Sequence, residues 1–125
     1  MMKSGYTIVF GGSDFSPEGF LRSSSLKPEV IHRGDKLLDG RIAEESWLEF
    51  FDIHEGKYPL DAKTEAMDFL KARRDEFIRL SSFQGVSMRN LNFFGDGASC
   101  MEIYPEDIAL LHELSIHVSI FNELA

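Results

Sequence analysis

From Pro59 to about Ser82 the chain carries one long helical pattern, and on both sides of it only short runs punctuated by glycine, proline and aspartate. That contrast confines the fold. Runs of β-branched and aromatic residues too short for a helix must pair as strands, and one amphipathic helix must bury its stripe against the sheet they form. At 100° per residue from Ala62, the side chains of Ala66, Phe69, Leu70, Phe77 and Leu80 fall within about a 100° sector. Arg73 falls in the middle of that sector. Either the helix bends or breaks near Arg73-Arg74, or Arg73 lies along the apolar face with its head at the edge, or it is held inward to meet a carboxylate or an anionic ligand.

The flanking runs read as follows. Tyr6 to Phe10 predicts a strand stopped by Gly11-Gly12. Ser16-Pro17-Glu18 supplies an N-cap, a first-turn proline and a carboxylate at the positive end of a helix dipole; Ser23-Ser24-Ser25 keeps that helix short and Pro28 ends it. Gly34-Asp35 and Asp39-Gly40 predict a loop over 29–45 with a brief strand at Val30 to His32. Ser46 to Ile53 carries large apolar groups on both sides, Trp47, Phe51 and Ile53 against Leu48 and Phe50, which predicts a central strand covered on both faces. Val86 to Phe94 and Ala98 to Tyr104 read as a hairpin around Gly95-Asp96-Gly97. Tyr104-Pro105-Glu106-Asp107 opens a helix ending near Ser115, and Ile116, Val118 and Ile120 alternate as the core set of a last strand. The expected class is therefore α+β: a single domain with one mainly antiparallel sheet of about five strands, one long helix and two short ones.

A chain of 125 residues with 43% hydrophobic composition can bury a core at the scale of one domain. Eleven of its aromatic residues are Phe, which points to a packed interior more than to a platform for bases. The net charge of −8 argues against nucleic acid and against anionic lipid as partners. The single cysteine, Cys100, has no partner for an internal disulfide and reads as a buried, inert thiol in a strand; a reducing cytoplasm is the expected setting. The apolar run at Tyr6 is too short for a signal peptide, and no stretch approaches the ~20 residues that span a bilayer.

Chemistry-bearing motifs are sparse. His112-Glu-Leu-Ser-Ile-His117 resembles a zinc-protease signature with one residue too many: i+5 turns the second imidazole about 140° away from the first and crosses the expected helix end. His32 with Asp35, and His54 with Asp52, are the available His–carboxylate pairs, without a nucleophile in a marked context. No P-loop, nucleophile elbow or dinucleotide fingerprint is present; Gly11-Gly12-Ser13-Asp14 lacks both the glycine spacing and the lysine. No catalytic residue, metal site or cofactor is expected.

The charge is divided. Residues 35–68 and 96–125 each sum to −6, residues 69–95 to +3, and no Lys or Arg follows Arg89. These blocks fit solvated faces with internal pairing, or an acidic docking face for a basic partner protein. The acids nominated for that face are Glu44, Glu45, Glu49, Asp52 and Glu55, or Asp96, Glu102, Glu106, Asp107 and Glu113 around the last helix.

The order of several short motifs resembles the small bacterial family catalogued as domain of unknown function 4279. They are the strand Tyr6 to Phe10, Asp14-Phe-Ser-Pro17, Leu26-Lys-Pro28, Arg33-Gly34-Asp35, the strand with Trp47, the long central helix, and the closing unit from Tyr104-Pro-Glu106 to Leu114-Ser-Ile-His-Val118. The resemblance spans nearly the whole chain. It implies a bacterial single-domain α+β protein and brings no catalytic residues with it. The leading expectation is a non-catalytic protein-binding module, an immunity-type antidote masking a basic toxin. The rival is a small-molecule binder or enzyme with a pocket between the sheet and the loop His32 to Arg41, using Arg73 as its anion contact. A third is a homodimer through an open sheet face that includes Val9 and Phe121.

Overall fold

A computed structural model describes residues 3–55, 58–98 and 101–122. The elements are β1 (Lys3–Gly12), α1 (Pro17–Leu21), β2 (Glu29–Ile31), β3 (Ser46–Glu55), α2 (Pro59–Ala72), α3 (Arg74–Ser81), β4 (Met88–Gly95), α4 (Pro105–Glu113) and β5 (His117–Phe121). The strands form one open sheet in the order β2-β3-β1-β4-β5. Its first three pairings are antiparallel and β4 with β5 is parallel. This is the expected α+β architecture with a mainly antiparallel sheet.

The alternation of β1 decides which side is the core. Tyr6, Ile8 and Phe10 are buried, and the helices pack over them together with Leu48 and Phe50 of β3 and Leu91 and Phe93 of β4. Phe10, Phe50 and Phe69 surround Phe77 with ring centroids 5.5–5.7 Å apart, the tilted and edge-on contacts that aromatic quadrupoles favour. Phe15 and Phe20 meet Phe83 edge-on under α1. Eight of the eleven Phe belong to this core, and the other three, Phe51, Phe94 and Phe121, do not.

The long helical pattern is broken where Arg73 interrupts its apolar sector. Arg73 has φ −124° and ψ 31°, ending α2 and starting α3. The break lets Ala66, Met67 and Leu70 on one side and Phe77 and Leu80 on the other stay buried while Arg73 turns out to Ser25 Oγ, 3.2 Å away. The Ser16 cap also forms, its Oγ accepting from the Gly19 amide at 3.1 Å.

Three expectations are corrected. First, Gly11-Gly12 does not stop β1: both residues pair on through Trp47 and Ser46. A Cβ on Gly11 would lie 2.3 Å from the Ser46 carbonyl oxygen and 2.5 Å from Trp47 Cβ, so glycine is needed there for close strand approach rather than for a turn. Second, β3 is internal but covered on one face only: Leu48 and Phe50 are buried while Phe51 is 55% exposed. The four helices of the described residues lie on the other side. Third, no strand returns beside β4 over 101–104. Gly95 and Gly97 take positive φ, and the residues facing the core after them are Ala98 and Met101, three apart, a turn spacing closed by Met101 N–H to the Ala98 carbonyl at 3.1 Å. The chain then crosses through α4 and returns as β5, parallel to β4. Cys100 lies outside the described residues. Among them, no helix is long and apolar enough to cross a membrane.

Because the space above Gly11 is filled by Trp47 and backbone, Gly11→Ala is expected to lower folding stability by about 1–3 kcal/mol, read as a shifted urea midpoint at unchanged slope.

Candidate partner-binding face

In a strand, neighbours of buried residues point the other way, and on β1 those neighbours are Gly5, Thr7, Val9 and Gly11. Register places Ile53, Phe51, Glu49 and Trp47 of β3 beside them, then Phe94, Asn92, Asn90 and Met88 of β4. Glu29 and Ile31 of β2 and His117, Ser119 and Phe121 of β5 extend the same face to both edges. No helix covers it. Small residues along β1 leave a shallow floor, with Trp47, Phe51 and Ile53 rising on one side and the stacked rings of Phe94 and Phe121, 5.1 Å apart, on the other.

The segment between β2 and β3 projects beside this face as a small hairpin. Gly34 N–H and Ala43 N–H bond across it to Ala43 and Asp35 carbonyls at 2.8 Å, and Leu37 N–H reaches the Arg41 carbonyl at 2.7 Å. Gly34 and Gly40 take φ near +90°, as its turns demand. Leu38 at its tip is fully exposed. Between hairpin and sheet runs a groove of about 760 Å³ whose apolar lining includes Ile31, Leu37, Leu38, Trp47, Phe51 and Ile53. The groove lies between the sheet and residues 36–41 of this loop. Arg73 is not part of it, because Arg73 lies in the helical layer on the opposite face, 3.6 Å from Glu76. Glu76 in turn accepts from Ser24 Oγ, Ser25 N–H and Ser25 Oγ at 2.8–2.9 Å, which holds its carboxyl below the ordinary 4.5. The three serines that shorten α1 thus serve as a receptor for α3.

The nominated acids fall into two groups, one around α4 and one on or just before β3. Around α4 the docking assignment fails for Asp107. This residue is 3% exposed, and its carboxylate accepts from Lys63 Nζ at 2.9 Å and from the Tyr104 amide at 3.0 Å, with Lys71 at 3.8 Å. Burial opposes its charge, but the amide and the two ammonium groups outweigh burial and keep its pKa below 3.8. Lys63, 5% exposed and 4.3 Å from the Tyr104 ring centroid, was not singled out from the sequence; at about 100° from Ala62 it sits at the border of the apolar sector. Its signal was Asp107, three residues past Tyr104, the spacing at which a carboxylate caps a helix. Glu113 is held by both guanidinium arms of Arg74, Nε at 2.6 Å. Glu102 accepts from the Tyr104 hydroxyl at 2.8 Å, while Asp96 and Glu106 are exposed.

The β3 group sits differently. Glu49 is on the uncovered face and accepts from Trp47 Nε1 at 3.3 Å; Glu44 and Glu45 border a second trough with Trp47, Ile42 and Met88. Glu55 is on that face too, 3.8 Å from Lys3. Asp52 points to the helical side and pairs with His54. Glu29, unnominated, stands directly opposite Glu49 across the β2–β3 pairing.

The remaining histidines are placed as follows. His32 Nε2 pairs with Glu18 of α1, its Nδ1 is 3.8 Å from Asp35, and Asp35 accepts from the His32 amide at 2.8 Å. Hydrogen bonding to Glu18 raises His32 above 6.5, and the same contact lowers Glu18 below 4.5. His112 and His117 lie on either side of the helix end at Leu114-Ser115. Among the described residues no group of three His, Cys, Asp or Glu side chains is placed to hold a metal ion.

Asp107→Ala leaves the Lys63 ammonium buried without its counter-charge and is expected to cost about 3–5 kcal/mol in chemical denaturation. Glu106→Ala, one residue away and exposed, is expected to stay within about 0.5 kcal/mol. For the His32–Glu18 pair, the raised imidazole contributes below 6.5 and loses its contribution as pH climbs through its folded value; the lowered carboxylate contributes above 4.5 and loses it as pH falls. NMR titration is expected to place the His32 midpoint above 6.5, and Glu18→Gln to bring it back toward that value.

Comparison of the chain with protein-family models, with curated proteins and with solved structures finds no match to any of them.

Proposed function

We propose that this chain is a non-catalytic protein-binding module that docks a basic partner on the uncovered sheet face. Its specific form is an immunity-type antidote masking a basic toxin in a bacterial cytoplasm, as the resemblance to the domain of unknown function 4279 family fits. The observation that carries the reading is the Glu29–Glu49 register pair. Like charges directly opposite on one sheet face destabilise the free protein, and a cationic side chain laid between them relieves that cost. The surroundings suit such a side chain. Trp47 and Ile31 are the next pair along the same face, so an arginine or lysine stem meets apolar surface while its head meets two carboxylates. Around this centre the exposed Phe51 and Leu38 supply apolar area, and Glu44 and Glu45 an acidic rim.

A second reading draws on the groove beneath the hairpin, whose size and apolar lining suit a small organic ligand. Both are separated by one set of measurements on the chain and on the product of a neighbouring gene that encodes a basic protein. Glu29→Gln/Glu49→Gln is expected to stabilise the free chain by about 0.2–1 kcal/mol while weakening that product's binding tenfold or more. No binding and no protection of cells from that product sinks the antidote. A metabolite that raises the melting temperature of the wild type but not of Phe51→Ala supports the second reading in its place.

A further inference from the structure

The two edges of the sheet are built in opposite ways. β2 is three residues long, begins at Glu29 and is preceded by Lys27 and Pro28, so charge, proline and brevity all oppose pairing with another strand. β5 has none of these devices. His117-Val-Ser-Ile-Phe121 contains no Lys, Arg, Asp, Glu or Pro, and among the described residues no strand pairs with its outer side. Two large apolar side chains remain accessible there, Ile120 at 39% on the helical side and Phe121 at 44% on the uncovered face, its ring fixed by stacking on Phe94.

We infer that β5 pairs antiparallel with β5 of a second copy of this chain, closing a two-fold homodimer about Ser119. The register follows from symmetry: only centring on Ser119 pairs all five residues. Ser119 then faces its own copy, His117 faces Phe121, and Val118 faces Ile120 on the helical side, so small meets small and apolar meets apolar. Charge selects this edge over the open face as the contact between copies. Two molecules at −8 each repel, and stacking their faces would bring Glu29 and Glu49 of both together. From Leu114 to Asn122 the chain carries no acidic or basic residue apart from His117, so at β5 two copies meet without opposed carboxylates.

The geometry is testable by cross-linking, because directly opposed residues in an antiparallel pair have Cα atoms about 4.5–5.5 Å apart, within disulfide range. In a Cys100→Ser background, Ser119→Cys is expected to give a covalent dimer on mild oxidation. His117→Cys is expected to give none, since the two copies of position 117 lie about 13 Å apart along the paired strands. The unmodified chain is expected to sediment as a dimer, and Ser119→Lys, which sets two ammonium groups opposite one another, as a folded monomer with unchanged far-UV circular dichroism. An unmodified chain that sediments as a monomer at every concentration overturns the inference. So does a dimer that survives Ser119→Lys and fails to cross-link at 119. Because the edge and the uncovered face are probed by different substitutions, loss of partner binding in Glu29→Gln/Glu49→Gln leaves this result untouched.

Discussion

The organisation of the molecule depends on the unequal faces of β1. On one side Tyr6, Ile8 and Phe10 demand cover, and every helix is recruited to provide it. On the other, Gly5, Thr7, Val9 and Gly11 demand none. At Gly5 and Gly11 a side chain would collide with β3, at 2.1 Å from the Asp52 carbonyl oxygen and 2.3 Å from that of Ser46. Close approach of β1 and β3 therefore requires glycine, and glycine leaves too little apolar surface at the centre of that face to recruit a second layer. The large residues of the flanking strands, Trp47, Phe51, Ile53 and Phe94, remain beside a low floor. The uncovered face is a by-product of how the central strand packs.

Charge follows the same division. The basic residues around the helix break are spent within the fold: Arg74 on Glu113, Lys71 on Asp107, Arg73 on Glu76, and Arg79 over the Phe20 ring at 4.2 Å with its Nη2 donating to the Ser23 carbonyl. Lys63 and Asp107 go further, fastening α4 to α2 through a pair buried on both sides. Such a pair is tolerated where hydrogen bonds accompany the charges, as here, where Asp107 Oδ2 accepts from both the Tyr104 amide and Lys63. The C-terminal acidic block is thereby partly neutralised from inside, while among the described residues no ion pair joins Glu29, Glu44, Glu45 or Glu49 to a cation, although Lys36 and Arg41 line the same grooves. The docking face proposed above accordingly involves the acidic group beside Trp47 and not the one around α4.

Periodicity and capping made β1, β3, β4, β5 and the helix starts legible, because each is a local matter of spacing. The expectations that failed needed non-local knowledge. Whether Trp47 and Phe51 are covered depends on which side the helices choose, and that is settled by β1, not by β3. Whether Gly95-Asp96-Gly97 closes a hairpin depends on where Ala98 and Met101 find core surface: Ala98 is buried and Met101 packs against the core cluster. Asp107 looked like an exposed acid because its helix start is polar, and only the distant Lys63 turns it into a buried one. The break is one of the alternatives that Arg73 leaves open in the sequence, and the partners of Arg73, Ser25 and Glu76, lie away from the groove where an anion contact is expected.

The two proposed surfaces are compatible in one assembly. A two-fold axis perpendicular to the sheet at Ser119 makes a single continuous sheet of both copies, with all helices on one side and both uncovered faces on the other. Phe121 and its Phe94 neighbour then lie near the centre of a broad surface, and the Glu29–Glu49 pairs lie toward its two ends, on the strands farthest from β5. A basic partner with two suitably spaced cationic sites would engage both ends at once, and its apparent affinity would exceed that of either site through effective concentration alone. The blunted β2 edge then has a clear role: it ends the sheet after one dimer and prevents the edge pairing at β5 from propagating into a fibre.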